Sequence, residues 1–185
     1  MDKWIGAVVA VAILGVVAWL MIRSWRRRTT RDAVLSAYPL PQELPAPAFE
    51  TEVLYVATTP AHQPLERLAV TGLAFRGAAR IEVSSAGLVL RVAGEAPTWV
   101  PADRLVGAGE ATYVIDRGVE PEGLVALTWI ARTSDAEQPA PHVDSYLRAR
   151  YPGDSARIIA AVQDIAAAHV ASRPETQQES EASDD

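Results

Sequence analysis

The spacing of apolar and polar residues divides the chain into an unbroken apolar block, a long alternating region and a final helical stripe. The block, Trp4 to Ile22, runs for nineteen residues without a charge. As a helix rising ~1.5 Å per residue it would be ~28 Å long, close to the ~30 Å hydrocarbon core of a bilayer. A helix packed on a soluble core would show a polar face every turn, and this one shows none. Trp4 and Trp19 stand near its ends and Trp25 just beyond, where amphipathic rings favour the headgroup level. We therefore expect one transmembrane helix over 4–22, preceded by a short external tail, 1–3. Arginines occupy the place of a signal peptide's small-residue cleavage site, so the span is expected to stay attached.

The alternating region predicts a mainly β domain over 49–171. Strands are expected over Glu52–Thr58, Ala79–Ser84, Gly87–Ala93, Thr98–Val100, Arg104–Asp116, Gly123–Ala131 and Val143–Arg148. Ser85-Ala86 joins the second and third as a hairpin. Gly107 and Gly109 suggest a bulge or bend, and the apolar run Gly123–Ala131 an interior strand. Leu65–Phe75 fits either a short strand or an irregular turn. The period then changes. Ile158, Ile159, Val162, Ile165 and Ala166 recur at helical spacing over Asp154–Val170, with Asp154 or Ser155 available as a cap. About seven antiparallel strands and one C-terminal helix with a single apolar stripe suggest a bent sheet whose open end the helix plugs. Residues 172–185, acidic and without large apolar side chains, are expected to be a disordered tail.

Two segments link block and domain. The juxtamembrane stretch 23–38 carries Arg23, Arg26, Arg27, Arg28 and Arg31, which reads first as a topology signal and also places guanidinium groups at headgroup level. Its end, 30–38, is compatible with continued helix until Pro39. Residues 39–48 (PLPQELPAPA) hold four prolines and read as an extended spacer that could reach ~30 Å. The arginine excess after the span orients it with the N-terminus outside and the domain in the cytoplasm, as a single-pass protein of the plasma membrane. The absence of cysteine fits a reducing compartment.

Charge narrows the partners. The chain has 17 basic and 23 acidic residues, net −6, and the basic ones concentrate at the membrane exit. A net-negative body disfavours nucleic acid.

Tyr55-Val56-Ala57-Thr58-Thr59, Arg67, Gly72-Leu73-Ala74-Phe75-Arg76-Gly77, Asp116-Arg117, and Gly123-Leu124 leading to Thr128-Trp129 carry a resemblance. Over these residues the chain resembles actinobacterial membrane-anchored proteins with a bacterial pleckstrin-homology-like (PH-like) domain. The resemblance implies a β-roll capped by the C-terminal helix and brings no catalytic residues with it. Such proteins sometimes carry a transporter label, which a single uncharged span fits poorly.

Candidate chemistry is sparse. His62, His142 and His169 show no metal-ligand spacing, and neither a metal nor a cofactor is expected. No nucleophile elbow or phosphate-binding loop is present. Glu120 and Glu122 flank Pro121 in what reads as an exposed turn, a poor acid–base pair. Arg67, Arg76 and Arg80 form the one candidate ligand patch, although ion pairs with Glu66 and Glu82 offer those arginines a plainer use. The resulting expectation is a non-catalytic, membrane-anchored module that engages another protein, an adaptor or scaffold. The alternative is a lipid or small-ligand sensor built on the arginine patch; an enzyme or an accessory transport subunit ranks below both.

Overall fold

A computed structural model describes residues 11–23 and 35–171, apart from 69, 115–116, 119–122 and 135–138. Residues 11–23 form a helix (α1) with exposed side chains, and the Arg23 guanidinium lies 5.6 Å from the centre of the Trp19 ring. No helix among the described residues is long and apolar enough to cross a membrane. The first part of the expected span lies outside them, as do Trp4, Trp25, Arg26, Arg27, Arg28, Arg31 and the acidic tail.

The chain re-enters the described structure as a short strand, β1 (Leu35–Ser36). A long strand follows, β2 (Phe49–Pro60), then β3 (Gly77–Ser84), β4 (Gly87–Val92) and β5 (Thr98–Pro101). A single 3-10 turn, Ala102–Arg104, carries the chain into β6 (Leu105–Ala111). The remaining strands are β7 (Tyr113–Val114), β8 (Arg117–Gly118), β9 (Leu124–Ile130), β10 (Arg132–Thr133) and β11 (His142–Ala149). Helix α2 (Asp154–Ala171) closes the domain.

Seven strands form one antiparallel sheet in the order β5-β4-β3-β2-β11-β9-β6. Laid flat at ~4.8 Å per strand, its edges would stand nearly 30 Å apart. Yet Val100 of β5 and Leu105 of β6 belong to one core cluster with Tyr55, Ile81, Leu127, Trp129 and Leu147. The sheet is therefore rolled. Two irregularities help it bend: Val56 is an extra residue in β2 opposite Tyr146/Leu147, and Val106 an extra one in β6 opposite Thr128/Trp129. Helix α2 inserts Ile158 and Val162 into the roll. Its first turn is fastened to β2, since the Thr51 hydroxyl donates to the Asp154 carboxylate and the Arg157 guanidinium lies 4.7 Å from the Phe49 ring centre.

Six of the expected strands are present, with β2 longer than predicted. The seventh, Arg104–Asp116, is instead divided, Arg104 closing the 3-10 turn, β6 ending at Ala111 and β7 following at Tyr113, while 115–116 lie outside the described residues. The Ser85-Ala86 hairpin and the bend near Gly107 are also found. Leu65–Phe75 is irregular: Leu68, Val70 and Leu73 point into the core from a loop without strand pairing.

Two expectations are corrected. Residues 35–36 are strand, not helix, because their backbone finds partners in β10, Leu35 opposite Thr133 and Ser36 opposite Arg132. Nor do residues 39–48 act as a spacer between anchor and domain. Tyr38 is already tied to Trp99 by a backbone bond of 3.2 Å, and Ala48 to Val83 by one of 2.8 Å. The proline-rich stretch thus begins and ends on the domain.

Candidate functional site

The three arginines of the predicted patch stand on two different elements. Arg80 lies on β3, directly opposite Glu52 of β2 and Arg91 of β4, and its guanidinium is 3.9 Å from Glu50. Arg67 and Arg76 belong to the 61–76 loop, both exposed. Arg76 precedes Arg80 by four residues, a separation of ~13 Å along extended chain.

Arg80 sits instead in a different constellation. Opposed residues of an antiparallel sheet share a face, so Glu52, Arg80 and Arg91 all stand on the outer side of β2-β3-β4. That side is an open ladder of opposite charges. Arg91 reaches Glu82 through Nε at 2.8 Å and a terminal nitrogen at 3.4 Å. Arg150, just past β11, reaches Glu52 at 2.9 Å. Ala78 and Ala93 leave space between these long side chains, and the result is a shallow groove of about 310 Å³. Exposed ion pairs of this kind add little to stability, typically about 0–1 kcal/mol each. Their electrostatic pattern can still select a partner.

On the inner side one group of buried polar side chains is mutually satisfied, whereas the buried Thr98 hydroxyl of β5 has no hydrogen-bond partner. The Tyr55 hydroxyl donates to the Leu73 carbonyl at 2.8 Å and lies 3.0 Å from the Thr58 hydroxyl. Thr58 and Ser145 share a 2.8 Å bond, and the Trp129 indole N–H donates to Ser145 at 3.0 Å. Burial pushes the Tyr55 pKa up to about 12, against the opposing pull of its hydrogen bond with Thr58 and of the Arg67 charge. This seam ties the 61–76 loop to the sheet. Asp144 does the same from the outer side, accepting from the Thr128 hydroxyl at 2.7 Å and from the backbone N–H of His62 at 3.4 Å. His62 holds a left-handed backbone conformation, φ 64°.

Among the described residues no group of three or more His, Cys, Asp or Glu is gathered as metal ligands. The Glu120/Glu122 pair lies outside them. Arg91 and Glu82 were legible in principle. The Ser85-Ala86 turn sets Ser84 opposite Gly87, and counting outward from that pair sets Arg80 opposite Arg91. The Arg150–Glu52 contact joins residues 98 apart in sequence, and no local pattern announces it.

In comparison with known families, residues 34–163, more than half of the chain, fit a family described as bacterial PH domain-like. The match begins at Val34, just before β1, so the segment that precedes the proline-rich stretch lies within the matched region. No curated protein matches the chain.

Proposed function

Because the chain belongs to the bacterial PH domain-like family, we propose that it is a non-catalytic docking module held at the cytoplasmic face of the plasma membrane by residues 4–22. Domains of this kind are typically non-catalytic, which supports a binding role in general terms. The observation that carries the docking role is the open ladder on the outer face of β2-β3-β4, where three arginines and three glutamates pair around the alanine-floored groove. Its partner is a protein segment bearing both signs of charge, because a uniformly acidic or basic ligand would meet repulsion from half of the ladder. Anchoring draws its support from the uncharged run Trp4–Ile22 and the arginines after it. The sensor alternative finds less support, since Arg80 is already paired with Glu50 on the sheet face.

A photocrosslinking residue placed at Ala78 or Ala93 tests the reading in native membranes. We expect a discrete adduct from either position and none from an exposed position on α2 such as Ala167. Arg91→Glu should abolish the adduct while leaving the melting temperature of the domain nearly unchanged. An adduct of equal yield from Ala167, or one insensitive to Arg91→Glu, would count against a docking face here.

A further inference from the structure

The anchored reading has a geometric consequence for one loop. The chain enters the domain through β1, whose partner β10 directly follows β9, and the Tyr38 hydroxyl donates to the Ile130 carbonyl at 3.1 Å. At that end of the sheet β9 finishes, β11 starts and β2 finishes, Ala61 N–H donating to the His142 carbonyl and Ala131 N–H to Pro141. The 61–76 loop springs from the same end, directly after Pro60. The β3–β4 turn at Ser85-Ala86 and the start of α2 lie at the other ends of their strands.

This loop carries an unusual pair of side chains. Phe75 is 73% exposed and Leu65 is 61% exposed. Among the described residues they are the two most exposed large apolar ones between β1 and the end of β11. Each stands beside an exposed arginine: Phe75 directly precedes Arg76, and Leu65 is two residues before Arg67. The loop does not expose them for want of a core, because Leu68, Val70 and Leu73 between them are buried. Its inner half is anchored and its outer half displays apolar tips flanked by cations. That combination suits the boundary between headgroups and acyl chains, where rings and aliphatic tips are buried and guanidinium groups meet phosphate.

We propose that the 61–76 loop is a membrane-contact element: Phe75 and Leu65 enter the interface of the bilayer that holds the anchor, and Arg67 and Arg76 pair with its phosphates. The inference rests on the anchored reading. From Arg23 to Leu35 the intervening chain is eleven residues, 24–34, a reach of at most ~40 Å even if fully extended. A leash that short, attached at the loop's own end of the domain, makes contact effectively intramolecular, so two apolar tips of weak intrinsic affinity suffice. Glu66 and Glu95 lie near the same loop, which makes the apolar tips the main contribution and the dependence on anionic lipid modest. The contact would hold the domain in one orientation and turn the charge ladder sideways to the membrane, accessible to a second protein.

The chain has no cysteine, so single labels are specific. Leu65→Cys and Ser85→Cys are made in the full chain, labelled with a small fluorophore and reconstituted in phosphatidylcholine vesicles containing brominated lipid and a minority of phosphatidylglycerol. Flotation is scored on the same samples. The label at 65 should be quenched severalfold more than the label at 85, and adding Phe75→Ser should remove most of the difference. Equal quenching at 65 and 85 in floating vesicles overturns the loop contact and leaves the anchor intact. Strong quenching at 65 that ignores Phe75→Ser overturns the role given to the aromatic tip. A chain that fails to float overturns the anchor and the loop contact together.

Discussion

A methyl group at position 87 would run into the Val100 carbonyl oxygen and close on the Ala102 amide, at a backbone φ of 143° that side chains avoid. Gly87 opens β4 where β5 and the 3-10 turn press against it, so both the turn and the close approach require glycine. Gly87→Ala should cost about 2–4 kcal/mol in chemical denaturation, a loss far larger than the same change at the unencumbered Gly94 would produce by crowding. Tyr55 makes a prediction in pH. Its folded pKa, about 12, lies above the unfolded value of 10.0. Between these values the unfolded chain binds fewer protons, so the stability contributed by the neutral hydroxyl is whole below pH 10 and is lost as pH rises towards 12. Each proton in this window is worth about 1.4 kcal/mol per pH unit. Tyr55→Phe should therefore lower stability at neutral pH by about 1 kcal/mol, through the lost bonds to Leu73 and Thr58, and flatten the alkaline limb. The limb should not vanish, because burial also raises Tyr38 and Tyr146. Alkaline unfolding curves of equal steepness would contradict the assignment. At this scale the sequence was partly readable: Gly87 after Ser85-Ala86 announced a hairpin, whereas the Tyr55–Thr58–Ser145–Trp129 seam brings together residues from three strands distant in sequence.

Among the elements, β1 carries the least expected role. A rolled sheet with edges β5 and β6 leaves a seam, and the stretch from Leu35 to Tyr38 lies across it, paired with β10 on one side and bridged to Trp99 on the other. Arg104, from the turn between the two edge strands, stacks 5.9 Å from the Tyr38 ring centre. These residues act as a staple, and Leu35 and Tyr38 pack on the main core as they cross. A chain starting at residue 39 should accordingly be less stable than one starting at residue 35, by about 2 kcal/mol, from half-burial of two large side chains and the lost backbone bonds. Equal midpoints in denaturant would show that the staple contributes nothing. The period-two strands were legible because alternation records which side faces the core, and α2 because Ile158 and Val162 repeat at helical spacing. Residues 35–38 misled because a short segment takes its conformation from its tertiary partners; LSAY at the end of TRDAVLSAY is compatible with helix, but β10 and Trp99 offer its backbone better bonds. The proline-rich stretch misled for a related reason. Its composition predicts extension correctly but says nothing about where its two ends are fastened.

For the molecule as a whole, the architecture agrees with the expected form: seven antiparallel strands rolled around a main core and closed by a C-terminal helix, with a smaller second cluster of Ala57, Val114, Leu124 and Tyr146. What alternation left open was the strand order. Placing β11 between β2 and β9 depends on pairings between residues as far apart as Val53 and Ala149, and that order is also what delivers Arg150 to Glu52. The proposed charge ladder is thus a product of topology more than of any motif, which explains why a search for motifs selected Arg67, Arg76 and Arg80 as a group. The loop proposal regroups the first two with Leu65 and Phe75 and leaves the third to the sheet face. Both proposals require that the apolar block stays in the membrane with the domain on its arginine side. Side-specific labelling of a single cysteine tests this most directly, with Asp2→Cys and Ser85→Cys made separately and intact cells treated with an impermeant thiol reagent. The account predicts that position 2 is labelled in intact cells and that position 85 is labelled only after permeabilisation; labelling of position 85 in intact cells would contradict it.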